Sequence, residues 1–246
     1  MRVSKKILLS KKILPSIIIV RQNHMTSKKI ILCLHGWRTN QHVMRLQCTD
    51  VLEHAGDAFI IQYLDAPNQA KGPAYEAVEL AFSSCKEKGD GWKEWYDYNA
   101  PDKATNSAAT YVGLETSIEY VESEVQRIQP YALCGFSQGG TIAAIVAKRL
   151  QDQGETYCEK LLMFCAVPPN DFYNTFPWDK PIEIPSLHCI GERDPMKQRS
   201  HQFAEQSFDS STQEICVHSG NHKPPSIFEK RDASNVFDVV KNFLAR

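Results

Sequence analysis

From Lys28 onward the chain alternates short apolar runs with longer stretches of helical periodicity, and this alternation limits its folding more than any other feature. The runs at residues 30–34, 58–64, 132–136, 160–165, 186–190 and 213–218 are β-branched or apolar and are bounded by Gly, Pro, Asp or Asn. Such continuous runs fit strands covered on both faces. Between them, residues 113–128 place Leu114, Ile118, Val121, Val125 and Ile128 at helical spacing, and residues 139–151 and 233–243 read as further helices. Strands alternating with helices predict an α/β architecture with a mostly parallel central sheet flanked by helices, since parallel neighbours need crossover connections.

Bulk properties narrow the function classes. At 246 residues, with 42% hydrophobic and 23% charged residues, the chain can bury one large core. A formal net charge of -1 gives no overall pull toward nucleic acid or acidic lipid, so the expected partner is a small molecule, with neither nucleic acid nor stable membrane insertion. The eight cysteines form no C-x-x-C pair, and several lie in apolar runs such as Ile31-Leu32-Cys33-Leu34. Buried reduced thiols explain them better than a disulfide framework, which points to a cytoplasmic, reducing compartment.

Two stretches depart from the rhythm. Residues 1–27 carry Arg2, Lys5, Lys6, Lys11, Lys12 and Arg21, and no acid precedes Asp50. The apolar part is interrupted by Pro15 and is too short to span a bilayer, so this segment reads as a basic extension ahead of a single domain at 28–246. It is either an upstream start before Met25 or a transit peptide, and the latter would direct the protein to mitochondria. Residues 66–110 replace periodicity with Pro, Gly and the aromatics Trp92, Trp95, Tyr96 and Tyr98. This excursion over the sheet either walls a substrate pocket or caps the core.

The chemistry-bearing signal is Gly135-Phe136-Ser137-Gln138-Gly139-Gly140, preceded by a strand and followed by the helix former Thr141-Ile142-Ala143-Ala144. Strand, tight turn and helix are the context that a G-x-S-x-G nucleophile elbow requires. Glycines at 135 and 139 remove side chains that would collide with the turn or the neighbouring strand. Ser137 is the expected nucleophile, and the Gln138 N–H at the helix start is placed to meet an oxyanion.

A serine hydroxyl needs a base, and the base an orienting acid; on this type of elbow they follow the serine in the order acid, then His. Glu192 and Asp194 both follow the strand at 186–190. Asp194 is the stronger candidate, because Gly191 lets the chain leave the sheet and Pro195 ends extended structure. Glu192 reads as a solvated loop carboxylate paired with Arg193. Of the later histidines, His188 lies within a strand and His201 on a helix. His222, in the turn Ser219-Gly220-Asn221-His222, is the chosen base, and His218 is the runner-up. The pair His218-x-x-x-His222 lacks the cysteines or glutamate of known zinc motifs, and no metal or cofactor is expected. Near the start, Leu34-His35-Gly36-Trp37 lets the backbone turn toward the serine. The Trp37 N–H is the second expected oxyanion donor, and His35 organises that loop by hydrogen bonding.

Together these residues resemble the FSH family of serine hydrolases, a branch of the α/β-hydrolases. The resemblance runs through Leu34-His35-Gly36-Trp37, Tyr63-Leu64-Asp65-Ala66-Pro67, the Trp-rich segment before Tyr111-Val112-Gly113-Leu114-Glu115-Thr116-Ser117, the elbow, Pro185-Ser186-Leu187-His188-Cys189-Ile190-Gly191 with Asp194, and Asn221-His222-Lys223-Pro224-Pro225. It implies an α/β-hydrolase fold, a triad of Ser137, Asp194 and His222, and hydrolysis of carboxylic esters, often acyl esters. An acyl thioesterase or acyltransferase would use the same triad, and a non-catalytic binding protein of the same fold is the remaining alternative. The family's usual Gly-Gly-His is here Gly220-Asn221-His222, and Asp194 is followed by Pro195-Met196 rather than the commoner apolar pair.

Overall fold

The computed structural model describes residues 28–102, 104, 107–169, 171–228 and 233–246. The basic extension at 1–27, with its transit-peptide and upstream-start readings, lies outside the described residues. Strand β1 (Lys29–Leu34) leads through helix α1 (Gln41–His54) to β2 (Phe59–Leu64). The excursion follows as β3 (Asn68–Gln69), α2 (Glu76–Ala81), α3 (Ser83–Lys88), β4 (Lys93–Glu94), β5 (Asp97–Asn99) and β6 (Thr110–Val112). The alternation then resumes with α4 (Leu114–Ile128), β7 (Ala132–Phe136), α5 (Gln138–Asp152), β8 (Lys160–Phe164) and the short α6 (Phe172–Thr175). Strand β9 (Ser186–Gly191), α7 (Lys197–Ser207), β10 (Gln213–His218) and α8 (Ala233–Ala245) complete the chain.

The main sheet has six strands in the order β10-β9-β8-β7-β1-β2, all parallel. Each predicted apolar run is one of these strands, within a residue at either end. Strands β7, β8 and β9 are buried along their whole length, as the uninterrupted apolar runs require. One layer of core, including Leu32, Leu133, Ile142 and Met163, packs α4 and α5 against one face of the sheet; Ile31, Cys134, Val51 and Phe243 pack α1 and α8 against the other. All eight cysteines are free, and seven of them are buried.

The strand order reverses between β1 and β7, which pair with Leu34 opposite Gly135. Loops leaving the carboxyl ends of such neighbours run to opposite faces and open a crevice. The chain places Gly36-Trp37 on one side of that crevice and Ser137 on the other. No described helix is long and apolar enough to cross a membrane.

Candidate active site

At the crevice, Ser137 caps the start of α5 with φ 52° and ψ -116°, a left-handed conformation that a side chain adopts only under constraint. Its own N–H donates to the Phe164 carbonyl (3.0 Å), and its carbonyl accepts from the Gly140 and Thr141 amides (3.0 and 3.2 Å). The turn is tight enough that a Cβ at Gly135 would lie 2.5 Å from Gly140 Cα, and one at Gly139 would lie 2.4 Å from the Leu34 and His35 carbonyl oxygens. Only glycine fits either place. Gln138 is the first residue of α5, so its N–H has no acceptor within the helix.

Ser137 Oγ lies 2.9 Å from His222 Nε2, and His222 Nδ1 lies 2.7 Å from Asp194 Oδ2. The Asp194 side chain is fully buried and its other oxygen accepts the Met196 N–H at 2.7 Å. Burial pushes its pKa up, but the hydrogen bond and charge of His222, the Met196 amide and the Cys165 thiol more than offset that, and the carboxyl lies below its ordinary value. The ring of Phe136 flanks His222 with centroids 5.3 Å apart.

The structure separates the candidates that sequence left competing. Glu192 is exposed and pairs with Lys197 (2.7 Å); Arg193, its expected partner, instead donates to the Ser219 carbonyl. The expected Glu192–Arg193 pair is therefore corrected: the side chains diverge where the loop turns. His218 is buried and its Nδ1 accepts the Gly220 N–H (3.2 Å), which ties down the loop carrying His222. His188 is buried against the Phe208 ring, and burial pushes its pKa down to about 3.

His35 organises the β1 loop. The Ala66 N–H donates to its Nε2 (3.0 Å), leaving Nδ1–H to donate to the Gly36 carbonyl (2.7 Å). Complete burial pushes its pKa down to about 4, so the ring is neutral at pH 7. The Thr39 hydroxyl donates to the same Gly36 carbonyl (2.9 Å). This holds the backbone at Gly36-Trp37 beside Ser137.

A cavity of about 750 Å³ opens over Ser137 and His222. Trp37, Tyr75, Tyr96, Tyr98, Phe136 and Val167 give it a largely apolar wall. Trp37 and Gln138 both line it. The excursion at 66–110 thus does both things expected of it: Trp95 is fully buried in the core, while Tyr96 and Tyr98 face the cavity.

A family model described as serine hydrolase (FSH1) matches residues 25–233. The chain belongs to the FSH1 family of serine hydrolases. The human protein named Esterase OVCA2 is 30% identical over 216 residues, covering 82% of this chain and 92% of its own. Esterase CG5412 of Drosophila melanogaster is 26% identical, covering 89% and 77%. Among solved structures, esterase PE8 aligns with a TM-score of 0.60 at 15% identity, covering 89% of this chain and 92% of its own. RedJ, a thioesterase of Streptomyces coelicolor, aligns at 0.53 with 13% identity, covering 88% and 86%. The structural likenesses establish the α/β-hydrolase fold.

In this FSH1-family chain three contributions escaped sequence reasoning. The Gln138 side chain clamps the excursion: its Oε1 accepts the Trp95 N–H (3.0 Å) and its Nε2 donates to the Tyr96 carbonyl (2.7 Å). Cys165, with φ 45°, packs beside the Asp194–His222 pair, its thiol 3.5 Å from the Lys223 carbonyl and in contact with Asp194. Burial above all pushes that thiol up to about 12. Cys165, Asp194 and His222 offer ligand atoms within 4.8 Å of one another, but a metal there would need this thiol to ionise and the His222–Asp194 bond to break. The third is Arg199, which lines the cavity. None of these had a sequence signal: the Gln138 and Cys165 contacts are to residues far along the chain, and a place in the cavity wall leaves no mark on the residues beside Arg199.

Proposed function

We propose that this chain hydrolyses carboxylic esters, acyl esters above all, with Ser137 as nucleophile, His222 as general base and Asp194 as the orienting acid. The observation that carries this reading is the unbroken series of hydrogen bonds from the Ser137 hydroxyl through both nitrogens of His222 to the buried Asp194 carboxylate. An imidazole bonded to a carboxylate through Nδ1–H presents its other nitrogen as a proton acceptor. As Ser137 Oγ attacks the ester carbonyl, its proton passes to His222 Nε2, and the Asp194 charge stabilises the imidazolium. The N–H groups of Gln138 and Trp37 receive the oxyanion. Collapse of the tetrahedral intermediate transfers the proton from Nε2 to the departing alkoxide and leaves an acyl-Ser137. Water, deprotonated by the same nitrogen, then releases the acid.

The strain at Ser137 supports the role, since it holds Oγ out toward the cavity and against His222. The apolar wall suits an acyl chain.

Labelling with a fluorophosphonate probe tests the nucleophile. Folded wild type is expected to label and Ser137→Ala not to; an unlabelled wild type would leave the chain a binding protein. For the base, His222→Ala is expected to lower turnover of p-nitrophenyl esters by about 10⁴-fold or more, and His218→Ala to retain most of it. The reverse result would move the base to His218.

A further inference from the structure

Among the described residues that line the catalytic cavity, one cation has no ion-pair partner. Two arginines line that cavity. Arg38 is neutralised, its Nε 3.0 Å from Glu94 and its Nη2 3.8 Å from Asp97. Arg199 has no carboxylate within 4.0 Å among the described residues. Its Nη2 donates to the Pro168 carbonyl and its Nη1 to Met196 Sδ at 3.8 Å, which leaves three of its five N–H donors. Asp171, whose charge reaches Tyr96 and Tyr98 as that of Arg199 does, takes the Tyr111 hydroxyl at 2.8 Å and is not within ion-pair distance of Arg199.

The position is also electrostatically awkward. Arg199 stands in the first turn of α7, where the helix presents its positive end and carries no acid; a cation there costs stability. Lys197, in the same turn, is relieved by Glu192 at 2.7 Å. Arg199 is not, and it is half-buried against Met196 and Pro168, where solvent screens it less than at the surface. A guanidinium held by a backbone carbonyl, short of a counter-charge, and set in a largely apolar cavity beside a hydrolytic triad is arranged to receive an anion.

We propose that Arg199 determines specificity by binding an anionic group, carboxylate or phosphate, carried by the ester or thioester that Ser137 attacks. The substrate class is then an acyl compound with an apolar body, which the aromatic wall covers, and a negative charge away from the scissile carbonyl. This rests on the hydrolase reading above.

The test uses matched substrates that differ only in that charge. One pair places it on the acyl side, a p-nitrophenyl ester with a terminal carboxylate against its methyl ester. The other places it in the leaving group, an acyl-coenzyme A against the same acyl group on uncharged N-acetylcysteamine. Wild type is expected to prefer the charged member of at least one pair. In Arg199→Gln the ratio of kcat/KM for charged over neutral substrate is expected to fall about tenfold or more, mainly through KM, as loss of a charge-assisted contact requires. Arg199→Lys is expected to restore part of it, and Lys197→Gln, which removes a charge from the same turn outside the cavity, to leave the ratio in place. No preference in either pair, or a preference that survives in Arg199→Gln, overturns the proposal while sparing the hydrolase reading. Failure of wild type to cleave any of the four overturns both.

Discussion

The elbow at β7–α5 and the excursion at 66–110 both border the Ser137 hydroxyl, yet they are held by different means. In the elbow the constraint is backbone clearance: at Gly135 and Gly139 the space for a side chain is already filled by main chain. The excursion has only short strands and helices. It is held by buried side chains, Trp92, Trp95 and Tyr96 among them, and by polar stitches to distant residues: Trp95 Nε1–H to the His35 carbonyl (2.8 Å), Asn68 and Ser117 to the Trp95 carbonyl, and both ends of the Gln138 amide. Helix α2, at the cavity mouth, has no buried residue. Ser137, the proposed nucleophile, therefore stands on a turn set by main-chain clearance, while the wall facing it is held by side chains, and so the wall is where substrate preference can change without loss of chemistry.

Replacing Trp95 with Ala attacks the excursion at its anchor. Loss of a fully buried indole and its hydrogen bond is expected to cost about 3–5 kcal/mol, read from chemical denaturation. A cost under 1 kcal/mol would mean that the wall is held elsewhere. Gly139→Ala attacks the elbow instead. Its new Cβ meets two carbonyl oxygens of β1 and its loop, and turnover is expected to fall about 100-fold from displaced catalytic groups. Full activity in that variant would refute the clearance argument.

A third effect arises where the two regions meet. His35, which links the Gly36 loop to Ala66, and His188 in β9 are held neutral, with pKa values of about 4 and about 3 against 6.5 when unfolded. The unfolded chain therefore binds more protons below pH 6.5, and stability must fall as pH drops from 6.5 toward 4. Each histidine is expected to contribute about 2 kcal/mol of loss by pH 5. His188→Gln should remove its share of the slope in a pH series of melting curves and leave that of His35; an unchanged slope would show that His188 takes no part in it. The smallest effect concerns Gln138→Ala, which cuts both side-chain stitches to Trp95 and Tyr96 but keeps the Gln138 N–H. We expect a loss of about 1–2 kcal/mol in stability and a rise in KM with kcat little changed. A collapse of kcat would assign that side chain a part in the chemistry.

Most of the architecture was legible in the sequence because fully buried parallel strands must be apolar without interruption, so β7, β8 and β9 announce themselves. Asp194 was separable from Glu192 by local chain chemistry, with Gly191 before it and Pro195 after. His222 over His218 was a choice between neighbours, and sequence favoured the loop position. The stitches of Gln138, the contact of Cys165 with Asp194 and the place of Arg199 in the cavity were not legible, since a hydrogen bond between residues 95 and 138 or a lack of described carboxylates around residue 199 leaves no mark on neighbouring residues.

The sequence by itself determined the order of strands and helices, the strained turn at Ser137 and the shortlist of acids and bases. All of these depend on what adjacent residues permit the backbone to do. Only the tertiary structure decided which of them meet. The reversal of strand order between β1 and β7 opens a crevice over Ser137, and the carboxyl ends of β9 and β10 bring Asp194 and His222 to it. Residues 137 and 222 lie within hydrogen-bond reach because of sheet topology, a property of how the strands are stacked that no single stretch of chain contains.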